Sequence, residues 1–576
     1  MTSPKSKMRL SSISLIALIC ALMARANAES ITFTKDVAPI VFKQCSICHR
    51  PGQSGPFALM SYADVKKRAK EIAAVTLKRV MPPWLPESEP GEFLEDRRLT
   101  DRQIQVFQQW LTQGTPEGSL LDLPPMPQWR EGWQLGQPDL ILEMPKKYVL
   151  SAEGRDIYRN FTIPTALTTP RYVRAVEFKP DNRRIVHHAA MAVDYEHNAR
   201  KLEGSDGQPG FDYNMISPDG VRRPEGYFLN WTPGNLPSFD SPGFGWTLEP
   251  GQELVLQTHL KPTGKPEELQ VQIGLYFADT PPTKRVFVFT LNSFNIDIPA
   301  GANAYVIEDR FVLPVDLDLL AVLPHAHYLG KQLEAFAHLP DGTRKRLLRI
   351  PAWDFDWQDD YRYANPVHLP SGTTLQMRYV YDNSAANPKN PNQPPKPVRY
   401  GSQTKDEMGD IRFQVLVPNE QALRRLAQAA HEHQIQTFVS YDEFLLNANP
   451  HDAQARTRLG LIQSGRGQWA AAADSFRKAI SDDPTYDAPH YYMGLMYRSR
   501  KQFSEARAEF ETAIRLNPKN SKAHANLGIT LGELGELGKA EASLREALRL
   551  NPADSAASGC LDELRRRRHT HPAVAR

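Results

Sequence analysis

Three glycines set the tightest limit on what this chain can fold into. Gly460, Gly494 and Gly528 are spaced by 34 residues, and the same interval separates Ala472, Ala506 and Ala540 and relates Pro450, Pro484, Pro518 and Pro552. A fixed period of this size means one supersecondary unit repeated, and a unit too small to bury its own apolar face has to stack on its neighbours. Small residues at fixed places let paired helices cross closely, and a proline punctuates each unit. Tyr491, Phe503 and Phe510 are expected to fill the space between paired helices. At least three such repeats span 451–554, and 555–576 reads as a capping helix with a basic tail, Arg565 to Arg568 being a solvated helix end. Residues 418–450 read either as a helical connector or as a degenerate repeat. The pattern resembles that of the tetratricopeptide repeats, a resemblance that implies an α-helical solenoid whose groove is expected to take a protein partner.

The other end of the chain is organised differently. Lys5, Lys7 and Arg9 precede an apolar run from Leu10 to Met23 and then Ala26-Asn27-Ala28. This is a secretory leader over 1–28, with cleavage expected after Ala28. Its apolar core is too short for a good membrane span and no later segment qualifies, so the mature form is expected to have no transmembrane span and to be periplasmic or secreted. An uncleaved anchor is the alternative.

Close behind the leader stands Cys45-Ser46-Ile47-Cys48-His49. C-x-x-C-H is the attachment pattern of a c-type haem, in which two thiols form thioethers and the histidine ligates iron. A disulfide, a thioredoxin-like pair and half of a zinc site are the competing readings. Zinc needs further soft ligands, and the only other cysteines are Cys20 and Cys560. A thioredoxin motif would open a helix after a βαβ strand, and that pattern is missing here. The sixth iron ligand is expected to be Met81, in the stiff run Val80-Met81-Pro82-Pro83-Trp84, where the prolines prevent helix continuation. Met60, beside Phe57 and Leu59, reads as core. Helices are expected over Ser61 to Arg79 and over Thr100 to Gly114, with Thr100 as N-cap. Residues 29–120 therefore resemble a small all-α cytochrome c domain carrying one covalent haem.

At 576 residues the chain should hold three or four domains of ~150 residues. A net charge of +3 is too slight for a nucleic-acid footprint. Pro124, Pro125 and Pro127 mark 121–138 as a linker. From 139 to 417 short alternating runs such as Leu254–His259, Val271–Phe277 and Thr374–Tyr381 are separated by Gly, Pro, Asn and Asp. These are strands of two antiparallel β-sandwiches, 139–283 and 284–417, with Pro281-Pro282 near their junction.

The sandwich region carries a second set of metal-binding side chains: His187-His188, His259, His325-Ala326-His327 and Met408. Residues two apart on a strand share a face, so His325 and His327 form a ready chelate. Adjacent His187 and His188 reach one metal only at a strand end or a bulge. Imidazole with thioether and no thiolate suits copper. Arg184-Ile185-Val186-His187-His188-Ala189-Ala190-Met191 is similar to the His-His-Met strand of the copper type II, ascorbate-dependent monooxygenases, the peptidylglycine and dopamine hydroxylating family. Pro324-His325-Ala326-His327-Tyr328-Leu329-Gly330-Lys331 resembles their His-x-His-x-Leu-Gly-Lys segment. Asp406-Glu407-Met408 resembles their Asp-Glu-Met ending, and Leu256-Gln257-Thr258-His259 fits the third histidine. Met377 lies at a core-facing strand position instead.

The resemblance implies two jelly-roll-like domains and two mononuclear coppers. His187, His188 and His259 would hold an electron-transfer copper; His325, His327 and Met408 would hold the copper that binds O2 and hydroxylates a C–H bond. The chain also departs from the family. It lacks cysteine throughout the region, and Leu323 stands where the peptide-amidating enzyme has a substrate-anchoring arginine. A tyrosine shortly after the methionine also serves that enzyme, and here Arg412 is nearest. Glycine-extended peptides are therefore not the expected substrate. The expected function is a secreted copper monooxygenase acting on an unidentified small organic substrate, with electrons from an ascorbate-like reductant or redox protein passing through the haem. The alternative is a non-catalytic redox or copper-binding scaffold that recruits a partner through the repeats.

Overall fold

Short amphipathic helices build the N-terminal region. The computed structural model describes residues 30–154, 156–212, 220–224, 226–552 and 554–570. The expected leader, its cleavage site and Cys20 lie outside them, as do the side chains of Arg567 and Arg568. A helical run passes through Phe33–Val37, Ala38–Ile40 and Val41–Cys45, followed by Tyr62–Lys67, Ala69–Leu77 and Asp101–Thr112. Thr100 caps the last of these in a capping box with Gln103, which satisfies two amides that a helix start leaves open. Residues Ser61 to Arg79 are two helices rather than the single one the pattern suggests. Arg68 leaves the helical region at φ −110 and turns its amide onto Val65 and Lys66, while its guanidinium lies over the Phe57 ring. Phe33, Val37, Val41, Val65, Phe107 and Trp110 form the buried centre.

The middle of the chain is rich in antiparallel strands arranged as two pairs of sheets. In the first pair, Leu140–Glu143, Val271–Ala278, Arg171–Pro180 and Trp246–Leu248 lie side by side in that order. Their partner sheet runs Ile157–Pro164, Glu253–Leu260, Val186–Asp194 and Val221–Arg222, with Asn230–Trp231 also pairing with Val186–Asp194. Val173, Phe178, Ile273 and Leu275 of one sheet share a core with Phe161, Met191, Val193 and Leu256 of the other.

The second pair joins Arg285–Asn292, Gly409–Val417, Leu317–Ala326 and Tyr361–Leu369 to a sheet of Tyr305–Val312, Thr374–Tyr381, Gly330–His338 and Arg344–Ile350. Phe289 bridges the two layers, stacking on Phe413 and packing against Phe311. Met377 is fully buried among these core residues.

By internal contacts the chain divides into two compact units. One holds the helical N-terminal region and both sheet pairs; the other combines Asn292–Asp297 with the chain from Gln428 onward. Residues Glu420–Ala448 form one unbroken helix of 29 residues. Over the stretch read as a connector or a degenerate repeat, the chain is thus one continuous helix rather than a helix pair. Three helix pairs follow at 453–482, 488–516 and 521–550, then the helix Ser555–Thr570. A Cβ on Gly460, Gly494 or Gly528 would stand 2.7, 2.6 and 2.7 Å from Phe476, Phe510 and Leu544 respectively. The glycine period is thus the close approach of paired helices. Tyr491 packs on Phe510, and Phe503 is half-buried. Ala557, Leu561 and Leu564 of the last helix are buried against the array. Among the described residues no helix is long and apolar enough to cross a membrane.

Candidate metal centre

Three imidazoles converge on the first sheet pair because of one irregularity in a strand ladder. Val186–Asp194 pairs with Glu253–Leu260 so that Val186 faces Leu260 and His188 faces His259, leaving His187 as an extra residue between them. A bulge of this kind re-aims one side chain. Nδ1 of His187 lies 3.2 Å from Nδ1 of His188 and 3.1 Å from Nδ1 of His259. Ligand atoms of the three all fall within 4.8 Å of one another, a grouping that could hold a metal ion.

The neighbours decide which ring nitrogen is free. Nε2 of His259 donates to Asp156 at 3.1 Å, which leaves its Nδ1 as a lone pair facing inward. Tyr158 stacks on His259 with ring centroids 4.4 Å apart and planes 7° apart. Burial first, and then Lys261 and His259, pull His187 down to about 4; burial also holds His188 well below the usual histidine range. Nitrogen lone pairs this close repel unless a cation or a shared proton lies between them, so the donor set fits a metal.

His325 lies on the strand Leu317–Ala326 of the second sheet pair and His327 one residue beyond the strand end, with rings 5.2 Å apart. Nδ1 of His325 donates to Gln358 Oε1 at 2.8 Å and Nδ1 of His327 donates to the Asp406 carbonyl at 3.0 Å. The outward nitrogens are therefore the Nε2 pair, and Nε2 of His325 is buried without a partner. An orphaned buried acceptor calls for an occupant. Burial pulls His327 down to about 3 and lowers His325 as well.

Met408 directly precedes the strand Gly409–Val417, whose register sets Asp410 opposite His325 and Gly409 opposite Ala326. Just beyond the paired residues, the next positions along the two segments are Met408 and His327. Two tyrosines of the facing sheet fasten this strand start: Tyr381 donates to the Met408 carbonyl at 2.8 Å and Tyr379 to that of Asp410 at 2.9 Å. Glu407, fully buried, accepts from the amides of His327, Leu329 and Met408. Burial pushes its carboxyl up to about 8 against those three donors, which favour the anion. Glu407 thus ties the His-x-His turn to the methionine strand.

Both histidine groups border one cavity of about 360 Å³, lined by His188, His325, Tyr158, Gln257, Arg223 and Arg412 among others. Burial, with Arg412 adding to it, pulls Arg223 down to about 9.

In the N-terminal region, the amides of Cys48 and His49 both bond to the Cys45 carbonyl, which winds the motif into one turn. Nδ1 of His49 lies 3.1 Å from the Phe57 carbonyl and donates to it, leaving Nε2 free. Cys45, Cys48 and Cys560 are free thiols. Burial pushes Cys45 up to about 12 and raises Cys48, whereas a thioredoxin-type nucleophile needs a depressed thiol. Two free thiols wound onto one turn, with an imidazole whose Nδ1 is taken up by the Phe57 carbonyl, are the residues that a covalently attached haem would need. Met81 lines a separate cavity of about 480 Å³ with Thr76, Leu99 and Ile104; Cys45, Cys48 and His49 are not among its lining residues.

Sequence reasoning missed Asp156, Gln358, Glu407, Tyr379 and Tyr381. Glu407 alone had a signal, its place in the Asp-Glu-Met stretch.

A TPR repeat model matches residues 494–535 and a tetratricopeptide repeat model matches 521–554. The C-terminal helical stretch carries tetratricopeptide repeats. No curated protein matches the chain. Similar solved structures include the first TPR of Spaghetti (RPAP3) bound to the HSP90 peptide SRMEEVD, at 23% identity, covering 20% of this chain and 91% of that one, with a TM-score of 0.20. Another is the Arabidopsis OM64 TPR domain, at 22% identity, covering 20% and 95%, also with a TM-score of 0.20.

Proposed function

We propose that this chain is an exported copper-dependent monooxygenase that hydroxylates a C–H bond of a small organic substrate, with electrons delivered through a covalent c-type haem. The observation that carries the reading is that two imidazole groups border one cavity through His188 and His325: one group brings three Nδ1 atoms together, and in the other His325 has its Nε2 unpartnered. In this reading the N-terminal region is a cytochrome c-like domain and the two sheet pairs are jelly-roll-like domains.

His187, His188 and His259 would hold one copper through their three convergent Nδ1 atoms; His325, His327 and Met408 would hold the other. Cys45 and Cys48 would anchor the haem, with His49 and Met81 on iron. When bound, the metals supply one-electron transfer and O2 activation. The overall balance is R–H + O2 + 2 electrons + 2 protons giving R–OH + H2O. The chain's own residues do the preparatory work. Burial keeps the imidazoles neutral and able to bind metal. Asp156, Gln358 and the Asp406 carbonyl hold their outer nitrogens, and Glu407 with Tyr381 fixes the backbone of Met408. Arg223 and Arg412 bring positive charge to the cavity wall. The repeats, which have no chemistry of their own, would dock a protein partner.

The test uses protein matured in a haem-attaching host. Metal analysis with optical and paramagnetic spectra should give two cupric signals and one low-spin iron. After reduction of the haem, oxygen is admitted and haem reoxidation is followed with and without copper. Faster reoxidation with copper supports the reading, and equal rates end it. The repeats favour one second reading, a copper-binding redox scaffold that recruits a partner oxidase; copper binding without any oxygen uptake would select it.

A further inference from the structure

One short segment, Asp356 to Tyr361, touches both histidine groups and the N-terminal helical region. At its start, the Asp356 carboxylate accepts from Lys261 at 2.8 Å and lies 3.5 Å from Nε2 of His187. Two residues on, Gln358 Oε1 accepts from Nδ1 of His325. Asp359 follows, 3.8 Å from the Arg97 guanidinium and accepting from Asn235 at 3.1 Å, while Arg97 donates to Asn235 at 2.8 Å. At the far end, the Tyr361 ring packs on Trp84 and Phe93 at 5.4 and 5.9 Å. The backbone continues the contact: Leu94 donates to the Arg362 carbonyl at 2.8 Å, and Ala364 donates to that of Glu92 at 2.9 Å.

An amide oxygen can only accept, so the ring nitrogen facing Gln358 has to carry the proton, and Nε2 of His325 is left as the donor to a metal. A carboxylate beside Nε2 of His187 favours the opposite tautomer, which leaves Nδ1 free. The segment that sets both choices is seated on Trp84, Phe93 and Arg97.

We propose that Gln358 and Asp356 are positioning residues that select the metal-facing nitrogens of His325 and His187, and that docking of the N-terminal region on this segment controls metal affinity at the two histidine groups. The inference rests on the reading that these histidines bind metal.

The test titrates the full-length chain with Cu(II), following the two paramagnetic signals separately, and records ¹⁵N histidine spectra of the metal-free protein to read the tautomers. Gln358→Leu should weaken copper at the His325 group about 10- to 100-fold and mix the His325 tautomer, and Gln358→Glu, which keeps an acceptor, should restore both. Phe93→Ala, or Arg97→Gln if the first does not fold, should weaken copper in the same direction by several-fold. The inference is overturned if Gln358→Leu changes neither readout, if Gln358→Glu is as weak as Gln358→Leu, or if a folded docking variant binds copper like the parent. A parent chain that binds no copper defeats the metal reading instead, and the tautomer spectra then decide the role of Gln358 alone.

Discussion

Adding one methyl group at Gly494 should cost stability where helix propensity alone says it should help. Alanine is favoured over glycine inside a helix by about 1 kcal/mol. At Gly494, however, the new Cβ would stand 2.6 Å from Cε1 and 2.7 Å from Cδ1 of Phe510. Carbon atoms prefer ~3.5–4.0 Å, so the ring or the helix has to move by about 1 Å. Phe510 is fully buried and has no room to retreat. Overpacking of this kind costs about 1–3 kcal/mol, which leaves a net loss of up to about 2 kcal/mol. Gly559 is the control: it sits in the helix Ser555–Thr570 with nothing within 4 Å of the added atom, so Gly559→Ala should gain about 1 kcal/mol. Hydrogen exchange reads this locally. Amides of Ala488–Ser499 and Phe503–Leu516 should exchange up to about 30-fold faster in Gly494→Ala, with the effect fading along the array because each repeat contacts its neighbours. Equal or greater protection in Gly494→Ala would refute the account of the glycine period.

Three further outcomes follow from the sheet pairs. Asp156→Asn replaces the carboxylate on Nε2 of His259 and should weaken metal binding at the first histidine group about 10- to 100-fold; an unchanged Cu(II) titration would deny it that role. Burial pushes the Asp240 carboxyl up to about 6, above its unfolded value, so protonation favours the fold and stability is lost as pH rises from about 4 to about 6. Asp240→Asn should therefore stabilise the chain by about 1–3 kcal/mol at pH 7.5 and much less at pH 4.5, as read from urea midpoints; the same gain at both values contradicts this. Gly409→Ala places a Cβ against Tyr381 Oη and Ile307 Cδ1, which should cost about 1–3 kcal/mol and loosen the start of the Met408 strand, visible as faster exchange of the Met408 amide.

What could be read along the chain was whatever short-range pattern expresses. The 34-residue period and the alternating strands depend on neighbours within a few residues or a fixed repeat, and both appear in the fold at the expected place. The break at Arg68 and the unbroken helix Glu420–Ala448 were not legible, because both depend on what the segment packs against rather than on its own periodicity.

By itself the sequence determined which side chains are available: the histidines, the methionine, the two thiols and their order. Tertiary structure alone decided how they meet. The bulge turns His187 toward His188 and His259, and the partners that choose each free nitrogen come from 103 residues away for His259 and 33 for His325. Glu407 reaches the His327 amide across 80 residues. A ring nitrogen's role is set by the hydrogen bond its other nitrogen makes, and that bond is a long-range contact that no local pattern encodes.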